Sequence, residues 1–451
     1  MGGGNPSIAR SLALQILCEV ERDIPLERAL DQCLAGATLE TRDRALLTHL
    51  VQGSIRLRRY LDWVIGHYTS RPVEDLPSPI RNTLRLAVYQ LLYLDRIPDR
   101  AVVNDHVSLA FIHGHRGTAG LVNAVLRSFL RAGKRIPVVP RDDPVTAIGV
   151  ETSHPDWLIR RWIRRFGENE ARVLASAGNQ IPEIVIRVNR LRASPEELRE
   201  RLLRGGVETR QGEANPGVLY LSGAPSCVQD LPGFDDGWFQ VQDESSSLVG
   251  LLAGPSPGNR VVDLCSGVGG KTSHLVEQMR DDGLVVAVDR AMWRLRRLRD
   301  NCRRLGVESV FALRADVTVV CVQPSDVVLL DAPCSGTGVL ARRSDARWRR
   351  EEADIPRLAR LQSRMLAAAS SLVKEGGWLV YSVCSLEPEE GEDVVHRFMS
   401  EHAGFRLENA GGWLPGTVVD GGGFLQTFPH HHGMDGIFAA RLRKAGRGVG
   451  Q

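Results

Sequence analysis

The chain reads as a multidomain protein: an all-α N-terminal region, a small α+β middle module and a C-terminal α/β domain of doubly wound type. Three observations carry this. Apolar residues recur at helical spacing from residue 7 to about 133, without strand alternation. From Gln242 onward, short β-branched runs alternate with amphipathic ones, the pattern of a parallel sheet covered by helices. At 451 residues, the chain is also longer than one ordinary core can fill.

In the N-terminal region, Leu12, Leu14, Ile16, Leu17 and Val20 mark one apolar face, and Arg44 to Ile65 repeats the pattern. Pro77-Ser78-Pro79 opens a third amphipathic run to Leu94, and Val102 to Ile112 and Gly120 to Leu130 continue it. Residues 134–150 hold several prolines and basic residues and are expected to form a linker. Residues 151–241 are expected to form the middle module. It has a basic helix over Pro155 to Phe166, strands near Ile184–Val188, Val218–Leu221 and Trp238–Val241, and a helix capped by Ser194 and Glu197. In residues 242–445, strands are expected at Arg260–Leu264, Leu284–Val288, Val310–Leu313, Val327–Leu330 and Trp378–Ser382. Phe424 to Leu442 supplies two further strands that extend the sheet antiparallel.

The composition, 43% hydrophobic and 25% charged, is that of a globular protein. No apolar run reaches the roughly 18 residues a transmembrane helix needs, and no signal peptide is legible, so the cytoplasm and no membrane partner are expected. The eight cysteines are scattered, with no C-x-x-C pair, so no metal site is expected. The triple histidine His430–His432 reads as a solvated loop. Formal net charge is only +3, but arginines cluster at Arg56–Arg59, Arg160–Arg165, Arg290–Arg304 and Arg342–Arg350. Such clusters favour a polyanionic partner.

Val261 to Thr272 reads as a strand, a glycine turn (Cys265, Ser266, Gly267, Val268, Gly269, Gly270) and a helix start at Lys271. Glycines let backbone amides approach a ligand, and a helix N-terminus favours negative charge. The phosphate-loop motif fails, because Cys265 stands where it needs glycine. The dinucleotide fingerprint fails at Thr272. Acids support the turn: Asp289, Asp316 and Asp331 follow successive strands at the ligand edge of such a sheet. A strand-end aspartate alone more often caps a turn, but three in register favour a nucleoside ligand. No magnesium-holding pattern accompanies them, which favours S-adenosyl-L-methionine over ATP.

Val327 to Leu330 is a buried strand running into Asp331-Ala332-Pro333-Cys334-Ser335-Gly336-Thr337-Gly338. The last strand delivers Cys384 to the same edge. One such thiol reads as a small hydrophobe. Two beside a methyl-donor site suit methylation of a pyrimidine carbon 5. A thiolate adds to carbon 6, carbon 5 attacks the donor methyl, and a base then removes the carbon-5 proton. Asp331 is placed to stabilise the adduct near ring nitrogen 3.

These motifs together resemble the RsmB (Sun/Fmu) family of 16S ribosomal RNA cytosine-C5 methyltransferases over nearly the whole chain. Thr41 to Leu46, Arg85 to Leu92 and Leu121 to Arg127 are similar to that family's NusB-like N-terminal domain. Gln242 to Ser246, Asp331 to Gly338, Gly377 to Glu390 and His430 to Phe438 are similar to segments of its Rossmann-like class I methyltransferase domain. The resemblance implies Cys384 as nucleophile, Cys334 assisting proton removal or product release, and Cys265 to Lys271 cradling the donor's methionine part. It puts Asp289 on the ribose, Asp316 near the adenine, and Asp331 between donor and target base. Ser266-Gly267-Val268, Val383 and Ser344 depart from the usual family residues, yet every position that needs a thiol or carboxylate has one. The expected partner is 16S ribosomal RNA, free or in an early assembly particle, bound by a monomer. Two alternatives stand beside this: the same chemistry on transfer RNA or another ribosomal site, and a non-catalytic NusB-like RNA-binding factor.

Overall fold

The computed structural model describes residues 6–36, 39–223 and 227–446, and the chain divides into two units. One runs to Gln180 and takes in Leu340–Glu351. The other comprises Ile181–Val339 and the chain from Glu352 onward.

The first unit is helical, as its periodicity requires. Helices run over Ile8–Val20, Leu26–Ala35, Thr41–Arg56, Arg58–Tyr68, Ser78–Tyr93, Asp99–Ile112 and Arg116–Arg131. Leu14, Leu47, Leu50, Leu84, Leu109 and Phe129 meet in one core. The stretch expected to be a linker is helical at its end, over Pro144–Glu151. Asp143 caps it, accepting from the amides of Val145 and Thr146, and Ala147, Ile148 and Val150 are buried. Eight residues show too little periodicity to outweigh the prolines before them. A further helix the sequence reading missed follows at Glu168–Ala177.

The arginine-rich stretch Leu340–Glu351 packs within this unit and corrects one expectation. Arg347 is only 1% exposed and donates to the carbonyls of Ser153 and Gly178 at 3.1 and 2.7 Å and to Asn179 Oδ1 at 2.7 Å. Arg56 is buried too, donating to the Ala341 carbonyl. These guanidiniums hold the protein's own backbone rather than facing a partner.

The second unit holds two sheets. The smaller joins β1 (Ile184–Val188), β2 (Glu208–Gln211), β3 (Val218–Ser222) and β4 (Phe239–Val241), all antiparallel, in the order β2-β3-β1-β4. Strand β2 is exposed and polar, so no apolar run announced it. The expected helix stands at Pro195–Arg204 with its Ser194/Glu197 capping box. The larger sheet is built on β5 (Arg260–Leu264), β6 (Leu284–Asp289), β7 (Val310–Arg314), β8 (Ser325–Asp331) and β9 (Val373–Val383), with β10 (Phe405–Glu408), β11 (Leu425–Gln426) and β12 (Phe438–Lys444) at its end. Its order is β10-β12-β9-β8-β5-β6-β7, with β5 to β9 parallel, β12 antiparallel to β9, and β11 paired to β12.

Alternate residues of the central strands feed two cores. Val261, Val327 and Leu329 pack with the helices Glu244–Ala253, Gly270–Gln278 and Met292–Leu305. Val262, Val328 and Leu330 pack with Asp354–Ser371 and Glu392–Glu401 on the other face. Burial on both faces is why these strands read as continuous apolar runs. Strand order reverses between β5 and β8, and ligands of such sheets bind in the crevice at that point. The triple histidine is not a loop: Pro429–His432 is a single helical turn. Among the described residues, no helix is long and apolar enough to cross a membrane.

Candidate active site

The carboxyl ends of β5, β6, β8 and β9 meet at the reversal point. After β5, Cys265 at φ 63° turns the chain, and Gly267 at φ 59° and Gly269 at φ 91° continue it in the left-handed region that glycine adopts without strain. Gly269 is further constrained, since a side chain there would stand 3.0 Å from Leu298. The turn is pinned to β6, with the Ser266 amide donating to the Val288 carbonyl at 2.9 Å and the Gly267 amide to Asp289 Oδ2 at 3.1 Å. Asp289 Oδ1 accepts from the Ala291 amide at 2.7 Å. The Asp289 carboxylate thus joins the glycine turn to the start of the next helix. Cys265 is half-buried, and burial pushes its thiol well up, so it is held neutral.

Asp331 closes β8. Its Oδ2 accepts from Lys271 Nζ at 2.8 Å and its Oδ1 from Ser382 Oγ at 2.7 Å. Burial pulls the Lys271 ammonium down, but the Asp331 charge and hydrogen bond outweigh it and the group is held above its ordinary value. The carboxylate therefore bridges the helix Gly270–Gln278 to β9, two residues before Cys384.

The two thiols are brought together, with Cys334 Sγ 3.3 Å from Cys384 Sγ. The Cys334 thiol is raised well above its ordinary value, first by its hydrogen bond to Cys384, then by burial and the charges of Glu390 and Asp331. The loop that carries Cys334 is locked further on. The Gly338 amide donates to the Cys384 carbonyl at 3.1 Å, and the Gly436 amide to the Gly338 carbonyl at 2.8 Å. The backbones approach so closely that a side chain at Gly338 would lie 2.1 Å from the Gly436 oxygen. Asp316, by contrast, caps its own turn. Its Oδ1 accepts from the amide and hydroxyl of Thr318, bonds that hold the carboxyl below its usual range, and Arg290 stands 3.6 Å away.

Four residues escaped the sequence reading. Ser382 orients Asp331. Asp263, fully buried in β5, accepts from Thr272 Oγ1 at 2.6 Å, and burial raises its carboxyl to about 7. Arg187 of β1 reaches the glycine turn after β5, donating to the Gly270 carbonyl at 3.0 Å and pairing with Glu277 at 2.6 Å. Glu390 is buried beneath both cysteine loops. It closes the motif segment Gly377 to Glu390, but nothing in that segment shows that its carboxylate also reaches the Cys334 loop.

Known proteins resemble this chain over nearly its whole length. A family model described as 16S rRNA methyltransferase RsmB/F matches residues 250–443, a NusB family model matches 7–131, and a ferredoxin-like domain of RsmF/B-like methyltransferases matches 154–227. A probable ribosomal RNA small subunit methyltransferase B of Synechocystis is 38% identical, over 97% of this chain and 99% of its own. The chain belongs to the ribosomal RNA small subunit methyltransferase B family. A Bacillus subtilis protein of that name is 35% identical over 97% of this chain and 99% of its own. The crystal structure of PH0851, 28% identical, superposes with a TM-score of 0.82 over 98% of this chain and all of that one. Residues 7–131 are thus the family's NusB domain and residues 154–227 its ferredoxin-like module. The larger sheet is its Rossmann-like methyltransferase domain. Family members are S-adenosylmethionine-dependent methyltransferases, and the residues at the turn fit that cofactor. The space over Gly267 is open, its nearest atom 4.0 Å from where a side chain would begin. Beside it stand the N-terminus of the helix Gly270–Gln278 and the Asp289 carboxylate.

Proposed function

We propose that this enzyme methylates carbon 5 of one cytosine in 16S ribosomal RNA through a covalent cysteine adduct. The single observation that carries the reading is the pair of thiols 3.3 Å apart beside Asp331 at the reversal point of the sheet. Cys265 to Lys271, with Asp289 and Asp316, hold S-adenosyl-L-methionine, which supplies an electrophilic methyl group. Cys384 is the nucleophile and forms a sulfur–carbon bond to carbon 6, making carbon 5 electron-rich. Lys271 and Ser382 fix the Asp331 carboxyl where ring nitrogen 3 of an extruded base is to lie. Once Cys384 is a neutral thioether, the leading cause of the raised Cys334 thiol is gone and ionisation of Cys334 becomes easier. Cys334 then takes the carbon-5 proton, the sulfur–carbon bond breaks, and Cys384 returns as thiolate.

Arg296 and Arg299 of the helix Met292–Leu305 are exposed and suited to phosphate contacts. RNA free or in an early assembly particle is the expected substrate. The test is transfer of a labelled methyl group from S-adenosylmethionine to small-subunit RNA, with the product mapped. One 5-methylcytosine is expected, and no transfer, or transfer to another base atom, refutes the reading.

A further inference from the structure

Glu390 lies in a short turn after β9, fully buried, at the end of the segment that carries Cys384. Its carboxylate accepts from both loops. Oε1 takes the Ser335 amide at 2.9 Å and Gln362 Nε2 at 2.9 Å. Oε2 takes the hydroxyl of Ser385 at 2.6 Å and that of Ser335, and the two hydroxyls are 3.1 Å apart. Ser335 follows Cys334 and Ser385 follows Cys384, so one carboxylate holds the residue after each thiol. Gln362 also donates to the Pro333 carbonyl at 3.0 Å, and Tyr381 donates to the Glu390 carbonyl at 2.5 Å. A buried carboxylate is costly unless its oxygens are hydrogen-bonded. Here both oxygens are fully used in clamping two loops.

We infer that Glu390 is a positioning residue, which ties the Cys334 loop to the Cys384 loop and directs the negative charge of the thiol pair to Cys384. The charge argument follows from placement. Cys334 faces the anions Glu390 and Asp331 as well as Cys384 and the Tyr381 hydroxyl. Lys271, the cation at the site, lies against Asp331 and feels the field of Cys384. An acid below Cys334 thus adds to Cys384 in disfavouring the Cys334 thiolate, so the charge settles on Cys384 and the two thiols do not compete for the base. This rests on the two-cysteine reading above.

The test is Glu390→Gln, which keeps the shape and removes the charge. Expected are a fall in kcat of about 10²-fold, the scale of a misplaced reacting group, and an RNA KM within a few-fold of wild type. Alkylation of Cys334 by iodoacetamide, read without RNA by peptide mass spectrometry, should shift its pH midpoint downward. Wild-type kcat, or a lower kcat with an unmoved midpoint, overturns the proposal. If Glu390→Gln does not fold, Ser335→Ala and Ser385→Ala decide. Each keeps the carboxylate and loosens one loop, and wild-type kcat in both overturns the proposal. A wild-type enzyme that forms no 5-methylcytosine refutes the two-cysteine reading instead, because the alkylation midpoint is measured without methyl transfer.

Discussion

Replacing Arg187 with methionine should both destabilise the enzyme and weaken its hold on the methyl donor. The side chain leaves β1, is 2% exposed, and makes two contacts with Glu277, Nη2–Oε1 at 2.6 Å and Nε–Oε2 at 3.1 Å. It also donates to Ser273 Oγ at 2.9 Å and to the Gly270 carbonyl at 3.0 Å. Methionine fills most of the volume but leaves the Glu277 carboxylate, itself 4% exposed, without its cation. Removing one partner of a buried pair costs about 3–5 kcal/mol. For a unit of this size, at about 2 °C per kcal/mol, that is a loss of about 6–10 °C in Tm. The pH dependence follows from Glu277, whose carboxyl burial raises even with Arg187 present. Without the arginine it rises further, so the folded state holds a proton the unfolded chain releases. The deficit is then smallest below the ordinary carboxylate pKa and grows as pH rises through the raised folded value. Thermal unfolding from pH 5 to 8 tests this, with donor affinity measured at the temperature where both proteins are folded. The double variant Arg187→Met/Glu277→Leu should recover most of the stability, but not the donor affinity, because the Gly270 carbonyl stays unheld. A variant within about 0.5 kcal/mol of wild type across the range, the ordinary spread of surface substitutions, would refute the reasoning.

Asp263→Asn should stabilise the protein at pH 8. The buried carboxyl titrates near 7, so its stability is complete below the unfolded value and is lost as pH rises through 7, an upper bound of about 4 kcal/mol; a variant with wild-type pH dependence of Tm would contradict this. Gly338→Ala forces a side chain against the Gly436 backbone 2.1 Å away, and a cost of about 1–3 kcal/mol is expected, with kcat reduced more than RNA affinity. Equal Tm and kcat would show that the loop yields. Cys334→Ala should accumulate a covalent protein–RNA adduct on denaturing gels while Cys384→Ala forms none, and the opposite result would exchange their roles.

What could be read in the chain were features with local periodicity. The continuous apolar runs of β5, β6 and β8 declared a sheet covered on both faces, and the helical spacing of residues 7–133 declared the first unit. Cys334, Cys384 and Asp331 were legible because each sits at the end of such a strand, where topology sends ligand-binding groups. Even the Ser194 capping box lay within four residues. Short and polar elements were not legible: β2 is exposed, and Pro144–Glu151 is too brief to show a period.

The tertiary structure alone decided which charges face inward. Arg347 and Arg290 look alike in sequence, yet the first is buried among carbonyls and the second is 77% exposed. Asp316 and Asp331 both follow strands. One caps a turn and the other is gripped by Lys271 and Ser382, residues 60 and 51 positions away. Glu390 and Arg187 reach their partners across 55 and 90 residues. A burial pattern is set by neighbours along the chain, so sequence alone determined the fold and the thiols at its edge. A buried polar group is satisfied only by donors and acceptors that folding brings to it from distant segments, so the groups that aim those thiols became visible only in three dimensions.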